Sequence, residues 1–432
     1  MKYIGGIITS YIVLLVLDIM QRRNHKRTQS LKKFTVRTIL ESLSLNAPEL
    51  NPGLGELNLL FIAAELLLLK DDSDGGIKLA LIEELEAHLH PQAQLRLISF
   101  LQNEYNENDV QIIISTHSPI LASKINLKNL ILMKNGFGYD LAEGNTALQK
   151  GDYLFLQRFL DSTKANLFFA KGIIMVEGDA ENILVPVIAD ILGYPLEKYG
   201  VSVVNVGSTA FLRYSGIMIR KDGRGIGIPV SVITDCDVRP YDIDKDTNEK
   251  IFNEKESEST QKEKENNEKY TNGSVRGFTS PRWTLEYCIA MSCLSEEFHK
   301  SVHYGKKILN ARDYIALTDE KINEANQEME KEEEQWHTLP LWKKAYQIYD
   351  LMLDKDGKSG LKAIVAQCFA SFLRWKISVI PENLKQEKMF DLDLYRLKID
   401  DKKKFELKSK IEGDQFLSYI VKAIKYAAGE TV

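Results

Sequence analysis

Apolar and polar positions along this chain follow two rhythms that alternate. "GELNLLFIAAELLLLK" (55–70) is apolar around most of a helix, whereas "IKLALIEE" (77–84) is a short apolar run bounded by carboxylates, the pattern of a buried strand. "PQAQLRLISFLQNEY" (91–105) has the 3.6-residue rhythm and opens on a proline, so it predicts an amphipathic helix. "VQIIIST" (110–116) predicts a second buried strand. Near Lys171 a second alternation starts. "KGIIMVEG" predicts a strand and turn, "DAENILVPVIADILG" a helix closed by Gly193, and "VSVVNVG" (201–207) a strand. "TAFLRYSGIMIR" then predicts a helix and "IPVSVITDCDV" (228–238) a strand. Repeated β-α-β order implies a mostly parallel sheet with helices on both faces. Residues 127–170, between the two alternations, predict a strand pair and a connecting helix.

Beyond Pro240 the pattern fails. Residues 241–275 are charged and almost without apolar positions, which predicts a solvated, partly disordered insertion. From 279 onward the chain is mainly helical, and "DEKINEANQEMEKEEEQWH" (319–337) predicts an exposed helix. No internal repeat is present.

Length and composition narrow the class. A chain of 432 residues suits two or three domains, and 44% hydrophobic residues is ordinary for a soluble globular protein. A formal net charge of -5 excludes a general electrostatic trap for nucleic acid. It leaves a local basic groove, or metal ions that bridge carboxylates to phosphates. Cys236, Cys288, Cys293 and Cys368 form no CxxC pair and are read as free thiols of a reducing compartment, not as a zinc site or a disulfide framework. The apolar run 3–20, followed by "QRRNHKR", barely meets the length of a membrane span and carries Asp18 and a glycine pair. It is read as a buried element of the first domain, which makes the protein cytoplasmic with no stable membrane association.

Two sets of residues carry candidate chemistry. In nucleotide hydrolases a strand ending in acids places one carboxylate near Mg²⁺ and the next by the attacking water. Glu83 and Glu84 stand in those positions, His117 ends the later strand "IIIST", and Gly55 lies in a glycine turn that runs into a helix N-terminus suited to phosphate. In the second set, Glu177 ends a strand and Glu181 follows one helical turn later, so both can converge. Asp235 and Asp237, two apart at a strand end, predict two side chains on one face with Cys236 on the other. Four carboxylates gathered at one sheet edge repel unless a cation neutralises them, and hard oxygen donors favour Mg²⁺ or Mn²⁺.

The first set, with "EELEAHLHP", resembles the signature, Walker B, D-loop and switch-histidine segments of ABC-type ATPases. The second resembles a Toprim domain over residues 171–240. Their order is that of the overcoming-lysogenisation-defect (OLD) family of nucleases. In that family "SPRWTLEYCIAMS" adds Glu286 as a further metal-binding acid, and "KAIVAQ" offers Lys362, with Lys358 one turn away. The resemblance implies a partial ABC-ATPase-like parallel-sheet domain (1–165), then a Rossmann-like Toprim nuclease domain (166–432) with the charged insertion and a helical C-terminal part. It implies DNA as substrate, a homodimer or higher oligomer, and a role in phage defence or DNA processing. Glu177 would bind metal or act as general base, Asp235 and Asp237 would bind metal, Glu181 and Glu286 would complete the shell, and Lys362 would stabilise charge on the phosphate.

One element of the family pattern is missing. No G-x-x-x-x-G-K-[ST] occurs, and Gly357-Lys358-Ser359 has Met352 where the first glycine belongs, after a helical run instead of a strand. ATP is therefore expected to bind only if a phosphate loop is supplied elsewhere. Either the chain is truncated, or a partner protein supplies the loop, or hydrolysis is lost. The rival function is a catalytically idle DNA- or nucleotide-sensing module that works with a partner chain. A topoisomerase would also need a nucleophilic tyrosine on a separate DNA-gripping domain, and none is identifiable.

Overall fold

The computed structural model describes residues 53–71, 78–105, 110–207, 210–309, 318–353, 360–382 and 397–431. The apolar run 3–20 and Gly357-Lys358-Ser359 lie outside the described residues. No described helix is long and apolar enough to cross a membrane. The described chain divides into two compact units, 53–126 with 160–165, and 127–159 with 166–431.

In the first unit, helix α1 (Leu54–Asp71) precedes strand β1 (Lys78–Ile82), helix α2 (Pro91–Tyr105) and strand β2 (Val110–Ile114). The strands pair in parallel, Lys78 opposite Val110 through Ile82 opposite Ile114. Ile62 and Leu66 of α1, Leu97 and Leu101 of α2, and Leu85 and Leu89 of the loop between β1 and α2 form the core. The strands are not buried on both faces as their sequence suggests. Among the described residues only one face is packed, and Leu81 and Ile113 on the other are 69% and 59% exposed.

The second unit opens with a hairpin, β3 (Ile131–Lys134) and β4 (Phe137–Asp140), and helix α3 (Lys150–Phe159). These residues pack with the segment around Ile219. Ala147 donates its N–H to the Ile219 carbonyl at 2.8 Å, and Arg220 donates to the Asp140 carbonyl at 2.6 Å. Strands β5 (Gly172–Val176), β6 (Val201–Asn205) and β7 (Val230–Thr234) come next, with helix α4 (Asp179–Leu192) between the first two. "TAFLRYSGIMIR" gives only one helical turn, Phe211–Ser215, rather than a full helix.

Residues 241–275 are ordered structure, not a disordered insertion. They form the hairpin β8 (Tyr241–Ile243) and β9 (Lys250–Phe252), then helix α5 (Glu256–Tyr270), and lead into β10 (Val275–Thr279). β10 completes a fully parallel sheet in the order β10-β7-β5-β6. α5 has no apolar stripe because it docks through small and polar contacts. Asn267 accepts the Thr279 N–H at 2.8 Å, and a Cβ on Gly277 would lie 3.0 Å from the Asn267 Cα.

The C-terminal part adds helices α6 (Leu285–Met291), α7 (Ser295–Leu309), α8 (Asp319–Trp336), α9 (Leu341–Asp350) and α10 (Lys362–Lys376). A two-residue strand pair, β11 (Ser378–Val379) and β12 (Lys398–Ile399), precedes α11 (Asp401–Gly413) and α12 (Ser418–Ala427). α12 lies against the sheet, with the Ser231 hydroxyl donating to the Ala423 carbonyl at 2.7 Å. A large apolar core made by α4, α6, α9, α10 and α12 holds the sheet's C-terminal edge in place.

Candidate metal centre at the sheet edge

Parallel strands end together, and here β5 and β7, buried along their whole length, deliver Glu177 and Asp235 side by side. The Thr234 hydroxyl and, at 3.3 Å, the Asp235 N–H donate to one Glu177 oxygen, Oε1. Gly178 is the N-cap of α4, so Glu181 sits in that helix's first turn and is 8% exposed. Thr284 caps α6 by accepting the Tyr287 N–H at 3.2 Å, which puts Glu286, 4% exposed, in the first turn of α6. Asp235 accepts the Leu285 N–H at 2.9 Å, which ties strand β7 to the start of α6. Acidic groups at helix N-termini are favoured by the helix dipoles.

Lys362 is the first residue of α10, where the dipole opposes a cation. The carboxylates hold it there: its ammonium donates to Glu286 Oε2 at 3.0 Å. Burial works against the Lys362 charge, but Glu286, Tyr349 and Asp235 outweigh it and raise its pKa above the ordinary lysine value.

Asp237 departs from the two-residue alternation. β7 ends at Thr234, Asp237 has φ 61, and its N–H bonds the Trp283 carbonyl at 2.8 Å. Its side chain is exposed at the rim, yet its charge reaches Glu177. Cys236 is buried as the alternation suggests.

The electrostatics are those of an under-neutralised cluster. Glu181 is pushed up to about 7, by burial first and then by Glu286 and Glu177. Asp235 is raised well above the carboxylate range by burial, then by Glu286, Glu181 and Glu177. Glu177 is raised by burial in spite of its hydrogen bonds, with Asp237 adding repulsion. Among the described residues, no three of these carboxylates bring oxygens within 4.8 Å of one another. Mutual repulsion of this kind keeps a cluster spread, and a hard divalent cation relieves it. The donor set, all carboxylate oxygens facing one ammonium, fits Mg²⁺ or Mn²⁺.

Two groups at this site carry no motif. Tyr349 lies under the Lys362 ammonium, 5.8 Å from nitrogen to ring centre. Tyr419 on α12 is buried with a hydroxyl that has no hydrogen-bond partner among the described residues, and Asp235, Glu181 and Glu286 all act on it. Their only sequence signal is a tyrosine on the apolar side of a helix, which core residues share.

The other candidate residues lie in the first unit. Glu83 and Glu84 are exposed, Glu84 with φ 47, and its N–H points to Ser115 Oγ at 3.4 Å. His117 is exposed, and the contact that fixes its loop comes from Glu86, which accepts the His117 N–H at 2.6 Å and the Thr116 hydroxyl at 2.7 Å. Gly55 has a packing reason for being glycine that its phosphate-turn reading did not include. A Cβ there would lie 2.3 Å from the His88 carbonyl oxygen.

Residues 168–237 match the family model for the overcoming lysogenization defect protein-like TOPRIM domain, and residues 17–122 match an AAA ATPase domain. Endonuclease GajA of Bacillus cereus is 29% identical over 232 residues, 47% of this chain and 33% of that protein. The OLD nuclease of Thermus scotoductus is 29% identical over 187 residues, 41% of this chain and 35% of that protein. The chain thus spans about a third of the length of these curated relatives. Among solved structures, the C-terminal region of the Xanthomonas campestris OLD protein is 20% identical, covering 60% of this chain and 96% of that one, with a TM-score of 0.28.

Proposed function

We propose that this chain is an OLD-family nuclease, a DNA endonuclease that hydrolyses phosphodiester bonds with Mg²⁺ or Mn²⁺ at the sheet edge, in phage defence or DNA processing; its matches to the two family models and to the two curated nucleases support this reading. The observation that supports this most is the trio Glu181, Asp235 and Glu286. All three are buried or half-buried at the C-terminal edge of a parallel sheet, where α/β sites form, and Lys362 is the cation acting on them. Metal would be held by Glu177, Glu181, Asp235, Asp237 and Glu286. Bound there, divalent ions neutralise the phosphodiester and activate water.

The protein's own groups then have distinct tasks. The Leu285 N–H orients Asp235, and Thr234 orients Glu177. With Oε1 taken by two donors, Glu177 keeps Oε2 to bind metal or accept the proton of water. Lys362, pre-aligned by Glu286, supplies positive charge toward the scissile phosphate or leaving oxygen.

The test is nicking of supercoiled plasmid by the full chain in Mg²⁺ or Mn²⁺ without ATP. Wild type nicks, and Asp235→Ala does not. Equal behaviour of the two would remove the assignment.

A further inference from the structure

We propose that α7 and α8 together hold a zinc ion on His299, His303 and Glu332, at a site separate from the carboxylates of the sheet edge. His299 and His303 are one turn apart on α7, so both rings leave the helix on one face. Both are buried, 1% and 2% exposed. Their Nε2 atoms converge on a single oxygen, Glu332 Oε2 on α8, at 2.8 Å and 2.7 Å. The three donor atoms lie within 4.8 Å of one another, and among the described residues this is the one His/Cys/Asp/Glu group of three that does.

The surroundings of His303 match what a zinc-binding histidine needs. A neutral imidazole that ligates through Nε2 carries its proton on Nδ1, and metal-bound histidines almost always donate that proton to a carboxylate, carbonyl or water. His303 Nδ1 faces Glu328 Oε2 at 3.2 Å, and Glu328 is in turn held by Lys307 at 2.9 Å. His299 Nδ1 faces Glu333 Oε1 at 3.9 Å. Without a metal, a neutral His299 that donates through Nε2 leaves Nδ1 as a buried acceptor, and that atom has no hydrogen-bond partner among the described residues.

Few apolar groups hold α8: among the described residues it buries Ala325, with Ile322 and Trp336 half-buried and the Trp336 ring stacked on His299 at 5.3 Å. Its sequence, DEKINEANQEMEKEEEQW, is strongly acidic. Two imidazoles and one carboxylate are the borderline donor set that zinc prefers over Mg²⁺. The present spacings of 2.7 Å and 2.8 Å would open by about half an ångström around a tetrahedral ion with bonds of about 2.0–2.1 Å. Glu332 is 22% exposed, which leaves the fourth position to water.

The full chain, stripped with chelator and re-exposed to Zn²⁺ alone, should retain one zinc per chain by elemental analysis after gel filtration. Asp235→Asn should retain it too. Glu332→Gln, which keeps size and shape, and His303→Gln should bind at least about 100-fold more weakly. Co²⁺ in place of zinc should give the visible bands of a tetrahedral site in wild type and Asp235→Asn but not in the other two. Stripped wild type that takes up no zinc would overturn the proposal, even if a histidine variant failed to fold. So would zinc lost from Asp235→Asn but kept by Glu332→Gln, which would place the ion at the sheet edge.

Discussion

Removing the charge of Glu181 should stabilise the metal-free protein, and only at high pH. The Glu181 pKa is raised from 4.5 to about 7 in the folded chain. Between those values the folded state holds a proton that the unfolded chain has released, so stability falls as pH rises. Below 4.5 nothing is lost, and above 7 the loss is complete. At about 1.4 kcal/mol per pH unit, the shift corresponds to about 3 kcal/mol, an order-of-magnitude figure appropriate to a side chain so deeply buried. Glu181→Gln keeps the shape and removes the titration. Urea melts in EDTA, from pH 5 to pH 8.5, should show the variant gaining stability over wild type as pH rises, by about 3 kcal/mol at the top. Trp283, Trp336, Trp342 and Trp375 all lie in the second unit, so tryptophan fluorescence reports on the unit that holds the cluster. In millimolar Mg²⁺ the advantage should shrink or reverse, because the ion neutralises the wild-type cluster and binds the variant less well. A pH-independent difference between the two proteins, or none at all, would refute the account of the cluster as under-neutralised.

Four further outcomes are expected. Lys362→Met should lower plasmid nicking about 10²–10³-fold, measured as initial rates in Mg²⁺, because it removes the cation that faces the phosphate. Gly172→Ala should destabilise the second unit by about 1–3 kcal/mol in the same urea melts, since a Cβ would sit 1.9 Å from the Ala427 carbonyl oxygen. Gly151→Ala, with open space around it, should be silent. The 432-residue chain should release no phosphate from ATP. Turnover that vanishes in Glu84→Ala would show a phosphate-binding site without the usual loop.

Much of the sheet and most of the carboxylates were legible because their signals are local. A strand buried on both faces, such as "GIIMV", is apolar throughout, and the residue after it must lie at the sheet edge. What escaped was non-local. β10 looks like part of a charged tract because "VRGFT" is short and comes after the polar helix α5, whose Asn267 meets Thr279 and Gly277 of the strand with no apolar stripe. The strand alternation does not reach Asp237, because the strand ends at Thr234 and Asp237 itself has φ 61. Another metal-donor pattern, His299-x-x-x-His303, is visible in the sequence. Only the tertiary pairing of α7 with α8 gives it a third donor in Glu332.

The two proposed metal sites share an architectural element without sharing ligands. α7 turns His299 and His303 toward α8, while its other face packs on α10. Phe298 meets Phe369 edge-on at 5.4 Å, Tyr304 meets Phe372 at 5.4 Å, and Gly305 lets Val365 approach so closely that a Cβ would lie 2.9 Å from its Cγ2. α10 begins at Lys362, so the helix that presents the ammonium to Glu286 is braced along its length by α7. An ion between α7 and α8 would stiffen that brace from the far side. The sheet-edge carboxylates would keep their preference for hard ions, because nitrogen donors draw zinc to the helical site. Loss of zinc should then loosen α8 first and reach Lys362 only through the apolar seam between α7 and α10.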